Sequence, residues 1–184
     1  MIQKRKITIQ SESWSNTDGN HRYLLKKVWG DGSLAMIVTI HPTMIDPLAL
    51  DMTTMLIQEQ LRKQGFSGFL AVNLFSSTKI KGTAQSLTGG SDDQTFAVIE
   101  TCLAEKQLTE IIIGVGSILR TNELAKKQLD IFYGLLSTKQ KKQVKILVDE
   151  EEHPAHPLAP KIRHEWRYIS YAQYRKKNLM TKEV

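Results

Sequence analysis

The chain has 184 residues and a mass of 20.9 kDa, the size of one ordinary domain, with 41% hydrophobic residues to fill a core and 24% charged residues to solvate a surface, which excludes a mainly disordered chain or a coiled coil. The net charge of +6 is uneven: residues 1–6 bring three positive charges and residues 161–184 bring seven against Glu165 and Glu183, so the middle is slightly acidic. The longest apolar runs, Leu34 to Ile40 and Ile111 to Ile113, fall far short of the roughly 18 residues of a membrane span, and Lys4, Arg5 and Lys6 have no apolar run behind them, so a soluble, cytoplasmic protein with no membrane partner is expected.

In chain order, Lys6 to Gln10 and Tyr23 to Trp29 read as strands separated by a polar loop, and Gly30-Asp31-Gly32 turns the chain into Leu34 to Ile40, apolar enough to be a strand buried on both faces. Beyond the loop His41 to Ile45, a helix is expected from Asp46-Pro47 or from Asp51 to Gly65, with Leu48, Met52, Met55, Leu56 and Leu61 near helical spacing. Gly68 to Phe75 is the next buried strand, with Asn73 at its end. Ser76 to Gly90 is a long loop of the kind that is often functional. Ser91-Asp92-Asp93-Gln94 fits a capping box for a helix that buries Phe96, Ile99, Leu103 and Cys102. Ile111 to Val115 is a third buried strand, Thr121 to Leu136 a helix with Ala125, Leu129, Phe132 and Leu136 on one stripe, and Val144 to Val148 a fourth strand. Alternating strands and helices imply a single three-layer α/β/α domain over residues 1–184, with a mainly parallel central sheet and an antiparallel N-terminal extension.

In such folds ligands bind beyond the carboxyl ends of the strands. The polar residues expected to converge there are His41, Asn73, His153 and His156, with Thr43 and Pro157 beside them and Asp46, Asp51 and Asp93 near helix starts. An asparagine can hydrogen-bond the edge of a base with donor and acceptor at once, and a histidine can polarise a carbonyl or move a proton near neutral pH. Equally, Asn73 can cap a loop and the histidines can be solvated beside prolines. His153-Pro154-Ala155-His156 offers no helical presentation of ligands and no further ligand set, so neither a metal nor another cofactor is expected. Gly114-Val115-Gly116 lacks the third glycine of a dinucleotide fingerprint, no Walker A lysine follows Gly89-Gly90, and no nucleophile elbow is present. The basic C-terminal segment interleaves Arg163, Arg167, Arg175, Lys176 and Lys177 with aromatics such as Trp166. That mixture can neutralise phosphates and stack bases, or can be a solvated last strand and tail.

The run His21-Arg22-Tyr23-Leu24-Leu25 to Trp29, then Ile40-His41-Pro42-Thr43 with Asp46, Asp51-Met52-Thr53, Val72-Asn73-Leu74-Phe75, Asp93, Gly116 and His156-Pro157-Leu158 resembles the bacterial and phage family called domain of unknown function 1643, over residues 21 to about 160. That family usually carries Asn-Pro-Ser where this chain has His41-Pro42-Thr43, and Trp-Gly where it has Val115-Gly116. The order of elements is also similar to the uracil-DNA glycosylase superfamily. That layout implies His41 where a water-activating residue lies, Asn73 where a base is read and His156 where the departing base is stabilised.

The expected function is binding of a nucleobase, nucleotide or nucleic acid in a strand-end pocket, with or without catalysis by His41 and His156. Two alternatives stand beside it: an active N-glycosidic or phosphoester hydrolase using the same pocket with Asp46 or Asp93 assisting, and a protein-interaction module with basic ends.

Overall fold

In a computed structural model of the chain, which describes residues 1–43, 46–48, 50–80 and 87–180, the described residues form one seven-stranded sheet in the order β1-β2-β4-β3-β5-β6-β7. The strands are β1 Gln10–Ser15, β2 Arg22–Val28, β3 Leu34–Thr39, β4 Gly68–Asn73, β5 Leu108–Ile113, β6 Val144–Leu147 and β7 Tyr168–Ser170. The central four, β4-β3-β5-β6, are parallel; β1 and β2 extend one edge and β7 the other, antiparallel.

The pleat divides the buried strands between two cores. Leu34, Met36 and Val38 of β3 join Ile99 and Cys102 of α2 (Asp93–Leu103), Leu129 and Phe132 of α4 (Glu123–Leu135), and Tyr171 of α6 (Tyr171–Met180). Ala35 and Ile37 point the other way, onto Ile57 and Leu61 of α1 (Met52–Lys63) and onto Ile162 and Trp166. The fold is therefore α/β with cover on both faces, completed by two single-turn helices, α3 (Ile118–Thr121) and α5 (Thr138–Lys141).

Several boundaries differ from the sequence reading. The first strand is Gln10–Ser15, not Lys6 to Gln10, because its partner β2 ends at Val28 opposite Gln10. Helix α1 takes the later of its two starts: Asp51 is the N-cap, its side chain accepting from the Thr54 amide, and Leu48, Met52 and Met55 are exposed. The buried face of α1 carries Leu61, as expected, together with Thr54, Ile57 and Gln60, and Gln60 donates to the carbonyl of His164 at 2.8 Å, tying down the segment before β7. Asp92, not Ser91, caps α2 in a reciprocal box with Thr95. Asn122 ends α3 and caps α4, so the helix expected from Thr121 is broken there. In the long loop, residues 81–86 lie outside the described residues, as do Met44 and Ile45 of the loop after β3. Among the described residues no helix is long and apolar enough to cross a membrane.

Candidate functional site

The carboxyl ends of β3, β4 and β5 open onto a cavity of about 360 Å³, within the size range of small-molecule sites. Its walls are largely apolar, with Ile40, Ile57, Ile80, Leu87, Val115 and Ile118 contributing. Against them stand a few polar side chains: Arg22, Thr39, His41, Asp51 and His156, with Thr43 and Ser117 at the exposed rim.

Arg22 reaches this wall because of a β-bulge. Trp14 pairs with Leu24 but Ser15 pairs with Arg22, so Tyr23 is an extra residue in β2. Tyr23 and Leu24 both turn towards α2, where the Tyr23 hydroxyl donates to Asp92 at 2.7 Å, and Arg22 is turned towards Asp51 at the start of α1. At 7% exposure the guanidinium loses solvation, which brings its pKa down to about 10 against the opposing pull of Asp51; it stays a cation at neutral pH.

Asp51 answers that charge. Its carboxylate accepts from the Thr54 amide at 2.6 Å and from the Thr43 hydroxyl. Burial raises its pKa, but these hydrogen bonds and Arg22 outweigh burial and hold the group below the usual carboxylate range. The cavity therefore carries a desolvated cation and an anion together.

The two histidines carry complementary protons. His156 Nδ1 accepts from the Leu158 amide at 3.2 Å, so the neutral ring holds its proton on Nε2. Burial, reinforced by His41 and opposed by Asp51, pushes the His156 pKa down to about 4, so the ring is neutral at pH 7 and donates without carrying charge. His41 Nδ1 lies 3.1 Å from the Pro42 carbonyl, which can only accept, so Nδ1 carries a proton and donates. Gly116 makes room for His156. It takes a left-handed φ of 76°, its amide donates to the Ala155 carbonyl at 3.2 Å, and a Cβ there would lie 3.2 Å from the Cβ of His156.

Of the residues expected at the site, His41, Thr43, Asp51 and His156 line the cavity, whereas the His153 ring lies away from it beside Asp149 and Glu151. Asn73 does not line it. It is 2% exposed, donates to the Thr39 hydroxyl at 2.6 Å and accepts from Arg22 at 3.4 Å, so it fixes two residues that reach the wall. Asp46 is exposed and accepts from the Leu48 amide, Asp93 is the exposed first residue of α2, and Pro157 is buried against Gly114. These three stand off the cavity. Arg22 and Thr39 take their place; the sequence signal for Arg22 is a lone cation heading the apolar run Tyr23-Leu24-Leu25.

The C-terminal basic segment is partly spoken for. Trp166 is 6% exposed, in the core beneath α1, with its ring 6.3 Å from Tyr168, and cannot stack on a base. Arg175 lies 4.7 Å over the Tyr133 ring and 3.5 Å from Asp130, and Lys177 pairs with Glu152. Arg163, Arg167 and Lys176 are exposed. The segment supplies the last strand, β7, followed by the helix α6.

Two further polar clusters bring together residue types capable of chemistry. Asp149, Glu151 and His153 bring donor atoms within 4.8 Å of one another, but Lys161 sits 3.5 Å from Asp149 and 3.4 Å from Glu151, supplying a cation already. His21, Ser76 and Asp92 assemble a serine, a histidine and an aspartate, yet Ser76 (2.7 Å) and Asp92 (3.6 Å) approach the same ring nitrogen, Nδ1, and Ser76 is fully buried. A nucleophile needs the opposite ring nitrogen and an open face. This cluster is a structural tie.

Among comparisons with known proteins, a family model described as a protein of unknown function (DUF1643) matches residues 22–158. That covers most of the chain, including every described strand of the parallel core and every polar residue of the cavity, and the chain belongs to this family. No curated protein and no solved structure matches.

Proposed function

We propose that this member of the DUF1643 family binds a nucleobase, as the free base or as part of a nucleoside or nucleotide, in the cavity at the carboxyl ends of β3, β4 and β5. The observation that carries the reading is the pairing of apolar walls with an ionised Asp51, a buried Arg22 and a neutral, donating His156. Flat apolar faces suit a ring, and convergent donors and acceptors suit its edge. Exposed Arg163, Arg167 and Lys176 would serve a phosphate-bearing or nucleic-acid form of the ligand.

The test is calorimetric titration of the full chain with a panel of free bases, nucleosides and nucleotides, repeated with Asp51→Asn and His156→Gln. Asparagine caps a helix as well as aspartate does, so Asp51→Asn removes charge without removing the α1 cap. Binding by one class and at least a tenfold loss in both variants, about 1.4 kcal/mol, is expected. No binding by any class, or affinity indifferent to both substitutions, overturns the reading.

The same pair of groups supports a second reading, hydrolysis of an N-glycosidic bond. Asp51 would take a proton from water as the water oxygen bonds to the sugar carbon, and His156 Nε2–H would stabilise the base leaving with the bonding electrons. Chromatography of the titrated nucleosides decides it: released base supports hydrolysis, and intact ligand leaves binding alone.

A further inference from the structure

We propose that the chain forms a two-fold symmetric dimer by antiparallel pairing of β1 and the residues before it with the same segment of a second copy. β1 is the outermost strand of the sheet, paired with β2 on one side only, and residues 1–9 are exposed and lie in no helix or strand. An edge strand presents a row of backbone donors and acceptors that a further strand can pair with.

Large exposed apolar side chains gather on this edge. Ile2, Ile7, Ile9 and Trp14 lie along it, and Leu48 and Leu50 lie beside it. The two stretches are joined where the Ser11 hydroxyl donates to the Pro47 carbonyl at 2.5 Å and Lys27 donates to the same oxygen at 2.9 Å. Isolated exposed apolar residues need no explanation; here they recur along one edge, Ile7 and Ile9 on one face of it and Ile2 and Trp14 on the other.

The sequence of the edge selects its occupant. Carried back at the strand's period of two, β1 places Ile7 and Ile9 on the face of Ser11 and Pro47, and Lys4 and Lys6 on the face of Glu12 and Trp14. Pairing two copies antiparallel about Thr8 sets Ile7 opposite Ile9, Lys4 opposite Glu12 and Ile2 opposite Trp14, each pair occurring twice by symmetry. Apolar residues meet apolar ones and opposite charges meet. The segment is complementary to itself, which an edge built only to repel neighbours is not.

Sedimentation velocity of the full chain over a concentration series, up to about 100 µM, tests this. The wild type is expected to approach twice its monomer mass. Thr8→Pro, which lies outside every secondary-structure element and removes a backbone donor at the centre of the pairing, is expected to leave a monomer with an unchanged far-ultraviolet spectrum. Lys4→Glu alone and Glu12→Lys alone set like charges opposite each other and should each weaken the dimer by at least tenfold. Mixed together, they should restore it as a heterodimer, since both cross-strand pairs are then opposite in sign. A wild-type monomer throughout, a dimer indifferent to Thr8→Pro, an open-ended series of larger species, or a mixture no tighter than its components would each overturn the proposal. If Glu12→Lys disturbs the β1–β2 hairpin through Lys26 opposite it, the Thr8→Pro and Lys4→Glu results decide the matter without it.

Discussion

Two polar clusters at the same end of the sheet show how similar residues serve opposite ends. On the α2 side, His21, Tyr23, Ser76, Asp92 and Thr95 satisfy one another: Ser76 meets both His21 and Thr95 at 2.7 Å, and Thr95 and Tyr23 both donate to Asp92. On the α1 side, Arg22, Asp51, His41 and His156 border open space. The closed cluster spends its hydrogen-bonding capacity on holding α2 to β2 and β4. In the open one, an ionised carboxylate and a neutral imidazole border unfilled space. A histidine near an aspartate is thus poor evidence of chemistry; room beside it is the better sign.

The largest expected separation of the two comes from Gly116→Ala. The left-handed backbone costs a side chain about 1–2 kcal/mol, and the new Cβ crowds His156. Thermal unfolding should fall by that amount and ligand affinity should collapse. Gly65→Ala, with a φ of 84° but nothing within 4 Å of a new Cβ, should show the strain alone and keep affinity. Next, Ser76→Ala removes the partner of both His21 and Thr95 and should cost about 1–3 kcal/mol in chemical denaturation, with ligand affinity unchanged. Loss of affinity there would erase the distinction between the clusters.

A further separation comes from a pH dependence. His156 has a folded pKa of about 4 against an ordinary 6.5, so the unfolded chain takes up its proton first. Its contribution to stability is therefore complete above pH 6.5 and lost as pH falls towards 4. Denaturation curves across that window should show a slope that His156→Gln reduces; an unchanged slope would place the titration elsewhere.

Much of this arrangement was legible from residue pattern. Leu34 to Ile40 and Gly68 to Asn73 declared themselves as buried strands because both faces of each are covered, and the stripe Ala125, Leu129, Phe132 named the buried side of α4 correctly. His41 and His156 were placed on the cavity by strand ends alone. What pattern missed has identifiable causes. The helix α6 has no apolar stripe, since Tyr171 and Tyr174 stack on each other and Arg175 lies over Tyr133. The buried side of α1 uses Gln60 to hold carbonyls of a segment about a hundred residues away, so of the expected apolar stripe Leu61 is buried while Met52 and Met55 are exposed. Asn73 was expected to touch a ligand, and only the register between β4 and β3 shows it spent on Thr39.

The extra residue at Tyr23 has a bearing on how the chain tolerates change. Because the bulge alone lets Tyr23 and Arg22 face different helices, removing one residue there would restore a regular alternation and swing the guanidinium to the wrong side of the sheet. No side chain of the cavity would have been altered, yet its cation would be gone. Length at this point in β2 is as strict a requirement as the identity of any residue on the wall.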